Sequence, residues 1–390
     1  MSKRVTNNRG VALLAVLALM GMLSLVAIMA VDRANTDIDL TFNQLHQESA
    51  FYVAEAGLNR AFRQLNDDNE WRTGYSNESF GNGAYWVLII DSNSQAGLDD
   101  TLIVRATATV HGSTSNLEAI VVPNYTNPFS FALFGDSTVS VINQTCTDSY
   151  NSDSGSYIET STDTSGDVGS NGTIFVDNVA TIGGDVVSAL DTGITISWTS
   201  SVSGDTITGA DPREVEIVPQ EEFDWAETVN NAPSGFSGAN FDYDPDTHEL
   251  QVSQWGSLTL SSGVYYFSDI YLENAASIDL VEGASVVIYM TGDINLENIT
   301  SINNGGSPAD LVIYSQGDSF TLSNDTKFYG SFYGPDAIFY VENNTDLYGS
   351  VVADAIVIEN QACFHYDRDL RDFSRRSYDG SMSMPGWKEL

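Results

Sequence analysis

Phe328-Tyr329-Gly330-Ser331 (FYGS) returns nineteen residues later as Leu347-Tyr348-Gly349-Ser350 (LYGS). The same kind of echo occurs twice more. Gly166-Asp167-Val168 returns as Gly184-Asp185-Val186, and Gly292-Asp293 as Gly317-Asp318. From Phe129 to about Tyr366, short β-rich runs alternate with Gly, Asn, Asp and Ser, with almost no helical periodicity. Coils of roughly 18–25 residues suit a solenoid in which each turn adds strands to the turn before it. Runs such as Ser285–Tyr289 (SVVIY), Leu311–Tyr314 (LVIY) and Val351–Ile358 (VVADAIVI) are then expected to stack as parallel ladders over one core. The expected form is a right-handed β-helix over 129–366, with an antiparallel sandwich as the alternative.

An interruption is expected at about 191–246, where Pro212, Pro219, Pro233 and Pro245 fall. Within it, Gln220–Asn231 (QEEFDWAETVNN) reads as a helix, with Pro219 at its start and Glu221 and Glu222 suiting the helix dipole. Such an excursion would cover an open edge of the solenoid.

Upstream lie three strand signals, Ala84–Ile90, Thr101–His111 and Leu117–Val122, expected as a small antiparallel meander within residues 66–125. Asn66–Gly83 reads as a loop, and Pro123 and Pro128 bracket a domain boundary.

At the other end, Gly10–Val31 (GVALLAVLALMGMLSLVAIMAV) carries no charge over twenty-two residues. At about 1.5 Å per residue it can cross a hydrocarbon layer of roughly 30 Å. Lys3, Arg4 and Arg9 precede it, which predicts a cytoplasmic N-terminus and a periplasmic or extracellular head. Beyond it, Phe51, Ala54, Leu58, Ala61, Phe62 and Leu65 recur at helical spacing on one face. A single helix over 11–65 therefore has a first half apolar all round and a second half apolar on one side.

The stretch Arg9-Gly10-Val11 through Gln47–Phe62 (QESAFYVAEAGLNRAF) resembles the N-terminal region of PilX-type minor pilins, with the box Ala54-Glu55-Ala56-Gly57 its most specific part. The resemblance covers about residues 1–65. It implies a leader peptide over 1–10, removed by a prepilin peptidase between Gly10 and Val11. It also implies a filament helix in which Ala15, Glu55 and Gly57 hold positions of note, and partners among other minor pilins and the assembly machinery. The protein would sit as a single-pass subunit in the inner membrane, and in a pilus after assembly. Ordinary pilins carry a glutamate five residues into the mature chain; here that position is Ala15. Some tip-located minor pilins and pseudopilins lack it too, so the departure points to the filament tip. A plain membrane-anchored adhesin is the rival reading.

Composition narrows the rest. The net charge is −38, from 53 acidic against 15 basic residues, and between Ala106 and Asp367 the lysines and arginines are Arg213 and Lys327. Such a surface repels nucleic acid. Five basic residues, Arg368, Arg371, Arg375, Arg376 and Lys388, fall in the tail 367–390, expected as a cap over the acidic coils, with a docking patch for a neighbouring subunit as the alternative. Cys146 and Cys363 could pair or stay as buried thiols. Some β-helix proteins cleave polysaccharides, but no paired-carboxylate site with a supporting cation, nucleophile elbow, phosphate loop or zinc spacing is visible. His248 and His365 read as isolated. Asp148, Asp153, Asp163 and Asp167 match no calcium spacing. Neither an enzyme, a metal site nor a cofactor is expected.

Overall fold

The computed structural model describes residues 9–68, 71–91, 101–123, 125–373, 375–376 and 382–390, the side chains of 9–12, 91, 125–126 and 375–376 excepted. Most of the expected leader, residues 1–8, lies outside them. The chain is mainly β with a long apolar N-terminal helix, and it divides into two compact units, Met1–Asn124 with Gly380–Leu390, and Tyr125–Asp379.

In the first unit, helix α1 runs Arg9–Asp67, 59 residues or about 90 Å, without a proline. Ser24, Thr36, Thr41 and Ser49 donate their hydroxyls to carbonyls four residues back, so these polar groups stay satisfied inside the helix. Strands β1 (Tyr75–Phe80), β2 (Gly83–Asp91), β3 (Leu102–Val110) and β4 (Ser113–Pro123) form an antiparallel sheet in that order. The β3–β4 hairpin turns through His111 and Gly112, both at positive φ, as a two-residue turn between twisted strands requires. The buried alanines of the sheet, Ala106, Ala108 and Ala119, face Ala50, Ala54, Leu58 and Ala61 of the helix in one core. Small residues on both sides let the helix lie close to the sheet.

Two strands here were not legible in sequence. β1 is a polar edge strand, largely exposed, so it has no apolar alternation to read. The fifth strand is Met382–Glu389, which pairs antiparallel with β4. This corrects the C-terminal part of the expected tail. Lys388 does not lie over the acidic coils; it pairs with Glu118 at 2.9 Å, which Arg105 also contacts at 2.7 Å. These two cations, Lys388 first, hold the Glu118 carboxyl below its usual range.

In the second unit, parallel strands stack coil upon coil into a helix-like sheet of 22 strands. The sequence repeats mark its register. Phe328, Tyr329, Gly330 and Ser331 pair one for one with Leu347, Tyr348, Gly349 and Ser350. Val168 pairs with Val186, and Val286–Met290 with Leu311–Ser315. Gly317 lies so close to Gly292 that a Cβ would come within 1.9 Å of its carbonyl oxygen. Inside, Leu250, Ile270, Ile294, Phe320, Phe339, Ile356, Val139 and Ile174 form one buried column.

The order of the coils is not the order of the chain. The first coil, Leu133–Tyr150, lies beside the last, Asp346–Asp367. The chain therefore enters the stack in its middle. It runs outward to Thr206–Ile207, leaves, re-enters at the far end with the antiparallel pair Phe236–Tyr243 and Leu250–Leu260, and winds back. The excursion is thus shorter than 191–246. Ile194–Ile196, Ser201–Val202 and Thr206–Ile207 still pair with the preceding coil. These strands, Ile-Thr-Ile, Ser-Val and Thr-Ile, are only two or three residues long, too short to show an alternation. The true crossing carries helix Gln220–Thr228, directly after Pro219. The helix covers one face of the stack, with Phe223 and Ala226 buried and Phe223 meeting the ring of Tyr289 at 5.3 Å, while the edge is covered by Phe236–Tyr243, which pairs antiparallel with Leu250–Leu260.

In six coils one corner is built by an asparagine in the left-handed conformation, which asparagine tolerates better than other residues with a side chain. Asn178, Asn143, Asn360, Asn343, Asn324 and Asn298 each have φ between 53° and 65°. Their side chains form one ladder, amide to amide: Asn178 donates to Asn143 at 2.7 Å, Asn143 to Asn360 at 3.1 Å, and Asn360 to Asn343 at 3.3 Å. Asn343 donates to Asn324 at 3.0 Å and Asn324 to Asn298 at 3.2 Å. Two residues on stands a buried Thr or Ala: Thr145, Ala180, Thr300, Thr326, Thr345 and Ala362. The hidden repeat is therefore Asn-x-Thr/Ala.

Val287 lies on the outer side of its strand and is half-buried, whereas Ile288 is fully enclosed. Ile288→Asp is expected to unfold the second unit, because an unpaired carboxylate in an apolar core costs several kcal/mol. Val287→Asp is expected to leave it folded with a lower melting temperature. Thermal melts of both variants check this; equal stability would contradict the inside–outside assignment.

Candidate functional site

The features singled out in sequence fall in two places. In the first unit, Gly10 and Val11 lie in the first turn of α1, with their side chains outside the described residues. Ala15 is exposed, as are the large apolar side chains from Leu13 to Val31, each at least half open. The helix is long and apolar enough to cross a membrane by length and composition. Farther along, the Ala54-Glu55-Ala56-Gly57 box meets the sheet. Ala54 is buried and Glu55 half-buried, while Gly57 lies under the ring of Tyr85, where a Cβ would come within 2.7 Å of Cδ2. Tyr85 accepts a hydrogen bond from Arg60 at 2.8 Å, and Arg60 also pairs with Glu78 at 3.1 Å. So Gly57 allows the helix to approach an aromatic ring, and the neighbouring arginine holds that ring in place.

In the second unit, the functional-looking groups gather where the first coil meets the last. Cys146 and Cys363 stand opposite each other in the paired strands, Cα–Cα 4.6 Å, and are disulfide-bonded across 217 residues of chain. Two residues along, His365 faces Asp148 in the same register. Its Nδ1 lies 2.6 Å from Asp148 Oδ1, and its Nε2 lies 3.9 Å from Asp346 Oδ1 on the other side. His365 is therefore not isolated, as the sequence suggested; its partners are 217 and 19 residues away and invisible to local reading. Burial alone would lower its pKa, but the hydrogen bonds to Asp148 and Asp346 outweigh this and raise it.

The segment between Asn151 and Ser165 lies over this cluster. Tyr157 donates to Asp148 Oδ2 at 2.6 Å and places its ring 4.2 Å from that of His365. A capping box between Ser156 and Glu159 starts the short helix Tyr157–Thr160. Arg368 donates to the carbonyls of Tyr150 and Thr160, both at 3.2 Å, and Asp367 accepts from the Ser152 amide at 3.0 Å. Arg368 thus fastens the segment from the chain that follows the last coil. The rings of Tyr329, Tyr348 and His365 form a column along the stack, Tyr329 on Tyr348 at 4.0 Å and 10°, Tyr348 on His365 at 4.6 Å. Sequence reading missed this column, although the tyrosines of the FYGS and LYGS repeats were its visible trace.

Two of the four aspartates weighed for calcium have other partners. Asp148 serves His365 and Tyr157, while Asp167 accepts from the Asp185 amide at 2.8 Å. Among the described residues no group of three or more His, Cys, Asp or Glu could hold a metal ion.

Comparison with known proteins adds little. Residues 271–373 match a family model described as a domain of unknown function, DUF7305. No curated protein matches by sequence. The competence-associated pilin ComZ from Thermus thermophilus is similar in structure, with TM-score 0.33 and 12% identity, over 89% of this chain and 97% of that one. An ice-binding protein from the Antarctic ascomycete Antarctomyces psychrotrophicus matches with TM-score 0.31 and 15% identity, over 61% of this chain and 95% of its own. The DUF3494 domain of Shewanella frigidimarina ice-binding protein_1 matches with TM-score 0.26 and 12% identity, over the same shares. At TM-scores this low, none of the three bears on what this chain does.

Two outcomes follow from the junction. Cys146→Ser with Cys363→Ser is expected to lower the stability of the second unit by roughly 2–5 kcal/mol, because the bond closes a long loop in the unfolded chain. Denaturant melts with and without reductant measure it; an unchanged midpoint would contradict a structural role. For His365 the raised pKa sets the sign. Its ion pairs with Asp148 and Asp346 contribute fully below the unfolded pKa of about 6.5 and are lost as pH rises through the raised folded value. The melting difference between wild type and His365→Gln should therefore shrink from pH 6 to pH 9. A difference that grows with pH would refute the ion pairs.

Proposed function

We propose that this chain is a minor pilin or pseudopilin of a type IV pilus or a related secretion filament, located at the tip and carrying a right-handed β-helix as an adhesive head. The observation that carries the reading is the division of α1. Ala50, Val53, Ala54, Leu58, Ala61 and Leu65 are buried against the unit's own sheet, while the apolar side chains from Leu13 to Val31 have no cover among the described residues. A surface of that size needs a bilayer or neighbouring helices. The resemblance of the first 65 residues to PilX-type minor pilins supplies a reason for both: membrane insertion first, then packing among filament helices.

Ala15 supports the tip. An ammonium or carboxylate left unanswered in an apolar bundle is costly. A subunit with no chain ahead of it has no partner amine to neutralise, so a missing glutamate is least harmful there. Processing by a prepilin peptidase between Gly10 and Val11 belongs to the same proposal, as does a non-enzymatic role. The partners would be other minor pilins and the assembly machinery. The rival, an anchored adhesin outside any filament, shares the helix but predicts no processing.

N-terminal sequencing of membrane-extracted protein is expected to begin at Val11, and immunogold labelling of sheared filaments to mark ends only. A start at Met1 in cells with an active peptidase would leave the anchored-adhesin reading. Regular decoration along the shaft would defeat the tip position.

A further inference from the structure

Beside the aromatic column of the second unit lies an open cavity of about 510 Å³, a volume that suits a small ligand. Tyr150, Tyr157, Tyr329 and Tyr348 line it, with Lys327, Gly305 and Gly306 at other points of its wall. Tyr348 is buried and is met edge-on by Tyr150 at 5.9 Å and by Tyr157 at 5.5 Å. Tyr329 lies on Tyr348 and is only half-buried. The residue in register with it on the neighbouring coil is Asn303, which is held by the carbonyls of Ser307 and Tyr329. Gly305 then turns at φ 81°, and a Cβ there would meet nothing within 4 Å. Space beside the tyrosines therefore stays open. Tyr150, 3% exposed, contributes to the wall, and its hydroxyl is itself buried, with no hydrogen-bond partner among the described residues.

The chemistry of the wall selects among ligand classes. The hydroxyls of Ser152 and Ser156 donate to Asp367 and Glu159, and Ser307 lies 3.4 Å from Ser152, so their oxygens can accept from a ligand hydroxyl and the wall is not the continuous apolar surface an acyl chain needs. Lys327 is the one cation in the lining, on a protein of net charge −38, so phosphate-rich ligands are repelled. Flat aromatic rings beside many hydroxyls and bare backbone suit a molecule with an apolar C–H face and a hydroxylated rim. We propose that this cavity binds a neutral sugar residue, its ring stacked on Tyr329. This deepens the adhesive-head reading. Binding is measured on purified protein and tip location on filaments, so either can fail without the other.

The test is calorimetric titration of the detergent-solubilised full chain with cellotetraose and with chitotetraose, and with tetragalacturonate as the anionic comparison. At least one neutral tetrasaccharide is expected to bind saturably, one to one. Tyr329→Ala should weaken it at least about tenfold. Tyr329→Phe, which keeps the ring, should stay within about threefold. Tyr271→Ala, a change at an exposed tyrosine outside the cavity, should bind as wild type does. The proposal is overturned by absence of binding to both neutral probes. It is equally overturned if Tyr329→Ala and Tyr329→Phe bind alike while melting as wild type does. Binding of tetragalacturonate alone, lost in Lys327→Ala, would make charge the basis and also overturn it.

Discussion

The second unit depends on one parallel pairing, Val351–Ile358 against Leu133–Val141, continued by Cys363–Asp367 against Cys146–Tyr150. Every other joint between coils in each half of the stack joins turns that follow each other along the chain. This one joins residues about two hundred positions apart. Its backbone bonds need non-local closure, which is slow and entropically costly. It is also where the structure places its strongest fastenings: the disulfide, the His365–Asp148 pair, the Asn143–Asn360 rung, and the bonds from Tyr366 to the Phe129 carbonyl and from Ser350 to the Phe131 carbonyl. Without that joint the stack is two half-solenoids, each with a bare edge open to pairing with other chains.

Polar ladders do elsewhere what the apolar core does inside. The asparagine corner links six coils by side-chain amides, and each rung fixes one coil's height on the next. A second corner uses aspartate. Asp167 accepts from the Asp185 amide and Asp185 from the Asp205 amide, while Asp269 and Asp293 accept from Asp293 and Ser319 on other coils. Part of the large negative charge is thus structural, since a carboxylate at a coil corner satisfies a backbone N–H that the turn leaves without a carbonyl partner. Like charges on successive coils repel, and screening by salt reduces that cost.

The first unit solves a different problem. One helix has to be stable without cover over half its length and packed over the other half. Intrahelical hydroxyl bonds and the lack of proline maintain the open half. The packed half relies on small residues, and Gly57 beneath Tyr85 marks the closest approach. The same helix therefore links a surface that needs apolar partners to a head that keeps its own core.

Local and repeated features were legible in the sequence. Helix α1, the hairpin strands after Gly83 and the echo of FYGS in LYGS all rest on periodicity or on residue-for-residue stacking, and both leave a trace along the chain. Closure was decided by tertiary structure alone. That the chain enters the stack in its middle, that Met382–Glu389 returns to the first sheet, and that His365 meets Asp148 all depend on which distant edges find each other. Strand edges carry the same backbone groups whatever their side chains, so the sequence states that an edge exists without stating its partner. The same holds for the cavity beside Tyr329. Its tyrosines belong to the visible repeat, but the segment that closes over them was placed by contacts with Asp367 and Arg368 at the far end of the domain.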